Sequence, residues 1–126
     1  MANQTELNKK RVLVADDDPS IRYFMKRVLG NSYSVIEASN GEEAVNLAQR
    51  HKPDIILMDV MMPKKDGITA CAEIKANKTT SAIPVVMLTG IGYQLNKDLA
   101  ASTGASGYIT KPFKPQELLD MISNFT

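Results

Sequence analysis

An α/β fold built on a five-stranded, doubly wound parallel sheet is predicted by three observations. Five short strand-like runs alternate strictly with longer stretches of helical periodicity. Three of those runs are apolar without interruption, the pattern of strands covered on both faces. Acidic, hydroxyl and basic residues then follow directly after the runs, where open parallel sheets place their ligands.

The first run, Val12-Leu13-Val14-Ala15, is continuously apolar. Asp18-Pro19 supplies an N-cap and a proline at the first helical position. Ile21, Phe24, Met25, Val28 and Leu29 then recur at helical spacing. Gly30 is expected to end this helix in the left-handed region. The second run, Ser34 to Glu37, is half polar and reads as an edge strand. Asn40-Gly41-Glu42-Glu43 resembles a capping box before Ala44, Leu47 and Ala48. The third run, Ile55 to Met58, is again apolar throughout. Ile68, Cys71, Ala72 and Lys75 give a weaker third helix. The fourth run is Val85 to Leu88, followed by a helical stripe at Leu95, Leu99 and Ala100. Gly104 is expected to be its left-handed cap. The fifth run, Gly107 to Thr110, is mixed and fits the other edge, and Leu118, Ile122 and Phe125 mark a last helix. Right-handed crossovers and five such units suit the flavodoxin-like order 2-1-3-4-5 with five helices, which makes the three apolar runs central.

The 126 residues suit one domain, with 1–9 as a short polar tail and 10–126 as the folded unit. A composition of 44% hydrophobic and 23% charged residues is that of a soluble globular protein. The net charge of +1 favours neither direct nucleic-acid binding nor an anionic membrane. Cys71 is the one cysteine, so no internal disulfide can form, and it reads as a small packed hydrophobe. With no apolar signal core and no spanning run, a cytoplasmic protein is expected.

After the first strand come Asp16, Asp17 and Asp18, after the third Asp59, after the fourth Thr89, and after the fifth Lys111. The predicted order brings them to one rim of the sheet. Carboxylates gathered there raise one another's pKa, a conflict that a divalent cation removes. The charges of Asp16, Asp17 and Asp59 balance those of Lys111 and one Mg²⁺, an ion that prefers oxygen ligands. The absence of Cys and His at the rim argues against zinc or copper. A carboxylate can also attack phosphorus and form an acyl phosphate, for which positioning and charge neutralisation suffice. Asp18 is read as the helix cap rather than a ligand.

Four stretches carry a family resemblance: Val12 to Pro19, Ile55 to Pro63 with Asp66-Gly67, Val86 to Gly90, and Gly107 to Phe113. Across residues 10 to 125 the chain resembles a bacterial response-regulator receiver domain of the chemotaxis-regulator type. The resemblance implies that Asp59 is the phosphoacceptor. It implies that Asp17, Asp59 and the Met61 backbone carbonyl bind Mg²⁺ directly, with Asp16 holding a metal-bound water. Thr89 would be the switch hydroxyl, Tyr108 the switch aromatic and Lys111 the phosphate-contacting lysine, followed by a cis Lys111-Pro112 peptide. Met61 and Ile91 would flank the approach of water and set the lifetime of the phosphoryl group. The implied donor is a histidine kinase or a histidine phosphotransfer protein. The implied output is the face of the fourth helix, fifth strand and fifth helix, including Lys97 and Asp98, which would meet a downstream protein target or output domain. Gly90 stands where alanine is commoner, and Lys65 where an apolar residue is usual; neither removes a chemical group.

These features imply a binding switch in a phosphorelay, monomeric or weakly dimeric when phosphorylated, and not an enzyme beyond its own phosphorylation and dephosphorylation. Its end just after the fifth helix suits a stand-alone regulator, and a receiver piece of a larger regulator or hybrid kinase would read similarly. An aspartate-nucleophile phosphohydrolase would leave Asp59 without a role. A flavin carrier on this fold would need a hydroxyl- and glycine-rich loop where the aspartates stand.

Overall fold

A computed structural model describes residues 9–90 and 102–126. Five parallel strands, β1 (Lys10–Ala15), β2 (Tyr33–Ala38), β3 (Ile55–Asp59), β4 (Val85–Thr89) and β5 (Gly107–Thr110), pair in the order β2-β1-β3-β4-β5. The predicted order and edges are therefore the observed ones. The described residues contain four helices of regular length, α1 (Pro19–Leu29), α2 (Gly41–His51), α3 (Gly67–Ala76) and α4 (Pro115–Ser123). The stripe at Leu95, Leu99 and Ala100 lies outside the described residues, as do Ile91, Lys97, Asp98 and most of the 1–9 tail. The last expected helix is thus α4.

Alternation along the central strands divides the core into two layers. Leu13, Ala15, Ile56, Met58, Val85 and Met87 pack with Ala44, Ala48, Ala70, Cys71 and Ile74 of α2 and α3. Val12, Val14, Ile55, Leu57, Val86 and Leu88 pack with Met25, Leu29, Leu118 and Ile122 of α1 and α4. Each buried side chain of Val or Leu size contributes about 1.5–3 kcal/mol of transfer free energy, so both layers are needed to hold the sheet. Cys71 is buried, as expected of a packed hydrophobe. No helix among the described residues is long and apolar enough to cross a membrane.

Local chemistry sets the helix starts. Asp18 Oδ1 accepts the Ser20 amide at 2.9 Å, and Asp66 Oδ1 accepts the Thr69 amide at 2.7 Å. Asn40 Oδ1 accepts the Glu43 amide at 2.8 Å, but the Glu43 carboxylate turns to the Ser39 amide, one residue before the cap. Two expectations need correction. Gly30 is right-handed, with φ −63°, and not left-handed. Its lack of a Cβ serves close approach instead, because a Cβ there would lie 2.8 Å from the Lys26 carbonyl oxygen. The buried stripe of α3 is Ala70, Cys71 and Ile74, while Ala72 faces outward. Gly104 does adopt positive φ, at 91°.

Candidate functional site

The carboxyl ends of β1, β3, β4 and β5 open onto a cleft of about 540 Å³ lined by Asp16, Asp17, Asp18, Asp59, Met61, Gly90 and Lys111, among others. Adjacent parallel strands in register bring these ends together: Ala15 pairs with Met58, Asp59 with Leu88, and Thr89 with Thr110. Asp16, Asp59 and Lys111, which follow Ala15, Met58 and Thr110, thus line the same opening.

Asp16 is wholly buried and Asp59 is 8% exposed. Two acids in such a place need a partner. Lys111 supplies it, with Nζ 2.9 Å from Asp16 Oδ2 and 3.3 Å from Asp59 Oδ1. Burial alone would lower the Lys111 ammonium, but its hydrogen bond to Asp16 and the charges of Asp59 and Asp16 hold it above its ordinary value. Burial, and then the charge of Asp16, push the Asp59 carboxyl up to about 6, against the pull of Lys111 and a hydrogen bond from the Met61 backbone. One cation thus leaves the pair of buried acids short of positive charge.

Asp17 is exposed on the loop between β1 and α1, yet its carboxylate joins the group. Oxygens of Asp16, Asp17 and Asp59 all lie within 4.8 Å of one another. An all-oxygen donor set with spare negative charge suits a hard divalent cation of the Mg²⁺ type and not a soft one. Asp18 is spent on capping α1, where the Ser20 hydroxyl, first, and the Ser20 amide hold its carboxyl below the usual range.

Thr89 ends β4 and is 1% exposed. Its Oγ1 is buried with no hydrogen-bond partner among the described residues. An unsatisfied buried hydroxyl costs about 1–3 kcal/mol, which a ligand oxygen reaching it would recover. Tyr108 stands apart from the cleft on edge strand β5, opposite Met87 and 43% exposed. The Met61 side chain is 65% exposed at the cleft mouth. The Lys111-Pro112 peptide is cis, as the resemblance implies.

Three residues near the site have contacts that the sequence motifs do not disclose, although Gly41 and Gly67 stand inside two of them. Gly67, the first residue of α3, lies against the Asp59 backbone, and a Cβ there would be 2.0 Å from the Asp59 carbonyl oxygen. Gly41, the first residue of α2, donates its amide to the Lys65 carbonyl at 3.0 Å and so props the loop after β3. Arg22 in α1 reaches back to the Asp16 carbonyl. A glycine at the first helical position is the one visible signal for the first two; no local signal marks Arg22.

Comparison with known proteins places these features in context. The family described as "Response regulator receiver domain" matches residues 12–123. The chemotaxis protein CheY of Halobacterium salinarum is 38% identical over 116 residues, covering 91% of this chain and 95% of the relative. The regulatory protein PhoP of Bacillus subtilis, named for transcription of alkaline phosphatase synthesis, is 44% identical over 110 residues. That match covers 86% of this chain and 45% of PhoP, and several other curated relatives are likewise spanned over less than half their length. Among solved structures, the receiver domain of the sensor histidine kinase PA1611 from Pseudomonas aeruginosa, described with a magnesium ion coordinated in its active-site cleft, superposes with a TM-score of 0.87 at 30% identity. It is covered over 97% of its length and this chain over 93%.

Proposed function

This chain belongs to the response regulator receiver family, and from that premise we propose that it accepts a phosphoryl group on Asp59 and relays the event through its binding surface. The observation that carries this reading is the Lys111 ammonium set between two buried acids, with a third carboxylate within 4.8 Å. Asp17, Asp59 and the Met61 carbonyl would hold Mg²⁺ directly and Asp16 through a water. The ion would supply charge neutralisation to the transferring oxygens.

The donor is a phosphohistidine on a kinase or phosphotransfer protein. An Asp59 oxygen attacks phosphorus, forming the O–P bond of an acyl phosphate as the P–N bond to the histidine breaks. With a pKa of about 6, Asp59 is mostly ionised at neutral pH and remains a nucleophile. Lys111, already 3.3 Å from Asp59, neutralises an oxygen of the arriving group. Thr89 Oγ1, buried without a partner among the described residues, donates to another. Drawing Thr89 toward the phosphoryl group shifts an existing equilibrium at the Tyr108 edge and the adjoining face. A downstream protein or output domain reads that face. The protein acts on its own phosphoryl group and on no other substrate.

The metal assignment is tested by thermal melts with and without Mg²⁺. Asp18→Ala removes a helix cap and is expected to cost about 1 kcal/mol while keeping the full Mg²⁺ stabilisation. Asp17→Ala is expected to melt near wild type without metal and to lose most of the Mg²⁺ effect. Equal responses of the two variants would refute the choice among the aspartates.

The lifetime of the acyl phosphate follows from what flanks the line of water attack. Met61 and Ile91 cannot hold a water by hydrogen bonding, so slow decay is expected. Met61→Asn with Ile91→Glu should shorten the half-life several-fold after the donor is removed. An unchanged or longer half-life would show that these side chains do not set it.

A further inference from the structure

We infer that Arg22 is a positioning residue for the acidic site, locking the backbone of Asp16 from outside the cleft. This rests on the proposed phosphoryl-acceptor reading of that site. Asp16 is tied at four points. Its amide donates to the Ala38 carbonyl at 3.1 Å, and its Oδ1 accepts the Asp18 amide at 3.0 Å. Its Oδ2 accepts Lys111 Nζ at 2.9 Å. The fourth tie is Arg22 Nη1, which donates to the Asp16 carbonyl oxygen at 2.6 Å. That is a charge-assisted bond, shorter than the 3.1 Å amide bond beside it.

The Asp18 bond already closes an Asx-type turn over the peptide between Asp16 and Asp17, but none of the first three ties holds the oxygen of that peptide. The Arg22 bond pins the oxygen of that peptide. It therefore fixes the direction in which the chain leaves for Asp17, the exposed member of the acidic group. Asp16 and Asp17 are held in register with Asp59 only while that direction is kept.

Arg22 is itself held. Its Nε lies 3.3 Å from Glu37 Oε1 on β2, and Glu37 also meets Lys26 Nζ at 3.6 Å. Glu37 sits opposite Val14 in the β1–β2 register, two residues before Asp16. The guanidinium thus spans from the edge strand to the acid loop, and its side chain is 18% exposed. Its charge is paired with Glu37, so a cation held by the acid cluster would feel little net repulsion from it. Removing Arg22 is then dominated by lost positioning, which weakens cation binding, and not by relieved repulsion, which would strengthen it. Groups one step outside a metal's own ligands typically change affinity 10–100-fold when removed. Arg22 acts through a single carbonyl, so the low end of that range applies.

The test measures Mg²⁺ affinity by calorimetry for wild type, Arg22→Ala, Arg22→Lys, Glu37→Gln and the stability control Ile122→Val, a buried methyl deletion in α4. Arg22→Ala should weaken Mg²⁺ binding about tenfold. Arg22→Lys keeps a donor for the carbonyl and should recover most of that loss. Glu37→Gln should weaken binding less than Arg22→Ala, and the two together no more than Arg22→Ala alone. Ile122→Val should lower the melting temperature and leave affinity unchanged. A second readout needs no metal. The Asp18 amide bonds Asp16 Oδ1, so its NMR chemical shift should move in Arg22→Ala, return toward wild type in Arg22→Lys and stay in place in Ile122→Val. Wild-type affinity in Arg22→Ala, or a loss matched by Ile122→Val, overturns the inference and leaves the site reading standing. If the wild type takes up no Mg²⁺, the site reading fails, and the metal-free shift alone decides: an unmoved Asp18 amide in Arg22→Ala overturns the positioning role, and a moved one sustains it.

Discussion

Asp59→Asn is expected to take up no phosphoryl group from a phosphohistidine or acetyl phosphate donor, and to be more stable than wild type without metal at pH 8. The first effect is all or none, because the amide cannot form the acyl phosphate. The second follows from the raised pKa of Asp59, about 6 against an ordinary 3.8. In the unfolded chain this carboxyl loses its proton near 3.8; in the folded protein it keeps it to about 6. The folded state therefore binds more protons between those values, and wild-type stability falls as pH rises through that window. At about 1.4 kcal/mol per unit the full shift approaches 3 kcal/mol, of which about 2 is expected once relaxation around Lys111 is allowed. Asp59→Asn should remove this slope and gain roughly that amount above pH 6, with no gain below pH 4. Mg²⁺ should then stabilise the variant far less than wild type, since the proposed site would be short of one carboxylate. Denaturant melts from pH 4 to 8, with mass measurement after donor treatment, read all three results. Labelling of the Asn variant equal to wild type would remove Asp59 as the acceptor, and a stability deficit at pH 8 would refute the electrostatic account of the site.

Gly67→Ala should be, with Gly41→Ala, among the most damaging single methyl additions in the described residues. A Cβ at Gly67 would lie 2.0 Å from the Asp59 carbonyl oxygen, 2.9 Å from its carbonyl carbon and 3.0 Å from Met58 Cγ. Two of those three atoms are backbone, held by the β3–β4 pairing, so the neighbours cannot rotate away. The Gly67 amide also donates to the Val60 carbonyl at 2.8 Å, which holds helix and strand together at this point. Either α3 moves out or β3 is displaced, at a cost of about 3 kcal/mol. Urea melts should show it as a large fall in midpoint, and Mg²⁺ affinity should fall as well because Asp59 shifts. Gly107→Ala is the control, since the nearest atom to its added methyl would be Met121 Sδ at 3.5 Å, an ordinary contact. That variant should stay close to wild type. A Gly67→Ala protein that melts and binds Mg²⁺ like wild type would show that the close approach of α3 to Asp59 is wrong.

Much of this protein was legible because its signals are local or periodic. Continuous apolar runs at Val12, Ile55 and Val85 identify two-faced central strands without knowledge of their neighbours. The half-polar runs at Ser34 and Gly107 identify edges. Asp18 and Asn40 announce helix starts by chemistry acting over two or three residues. Asp16, Asp59 and Lys111 could be grouped because a parallel sheet in a given order brings all its carboxyl ends to one rim. Lys111 and Asp16 are 95 positions apart, and only that topological rule connects them in advance.

Other features depended on backbone geometry and packing that residue type does not reveal. Gly30 carries the usual mark of a left-handed cap, yet it is right-handed, and its amide still donates to the Lys26 carbonyl as in a further turn of helix. The weak stripe of α3 reads in sequence as Ile68, Cys71, Ala72 and Lys75; packing against α2 and the sheet keeps Cys71, leaves Ile68 half-buried, turns Ala72 outward and adds Ala70 and Ile74. The identity of the acids, the strand order and the residue types that can carry phosphoryl chemistry were thus determined by the sequence alone, since each rests on residue type and on spacing along the chain. How tightly the acids are held was decided only by the tertiary structure. Gly67 on the Asp59 backbone and Arg22 on the Asp16 carbonyl act through space between elements. A sequence specifies such contacts only jointly, through the packing of every element that brings them together.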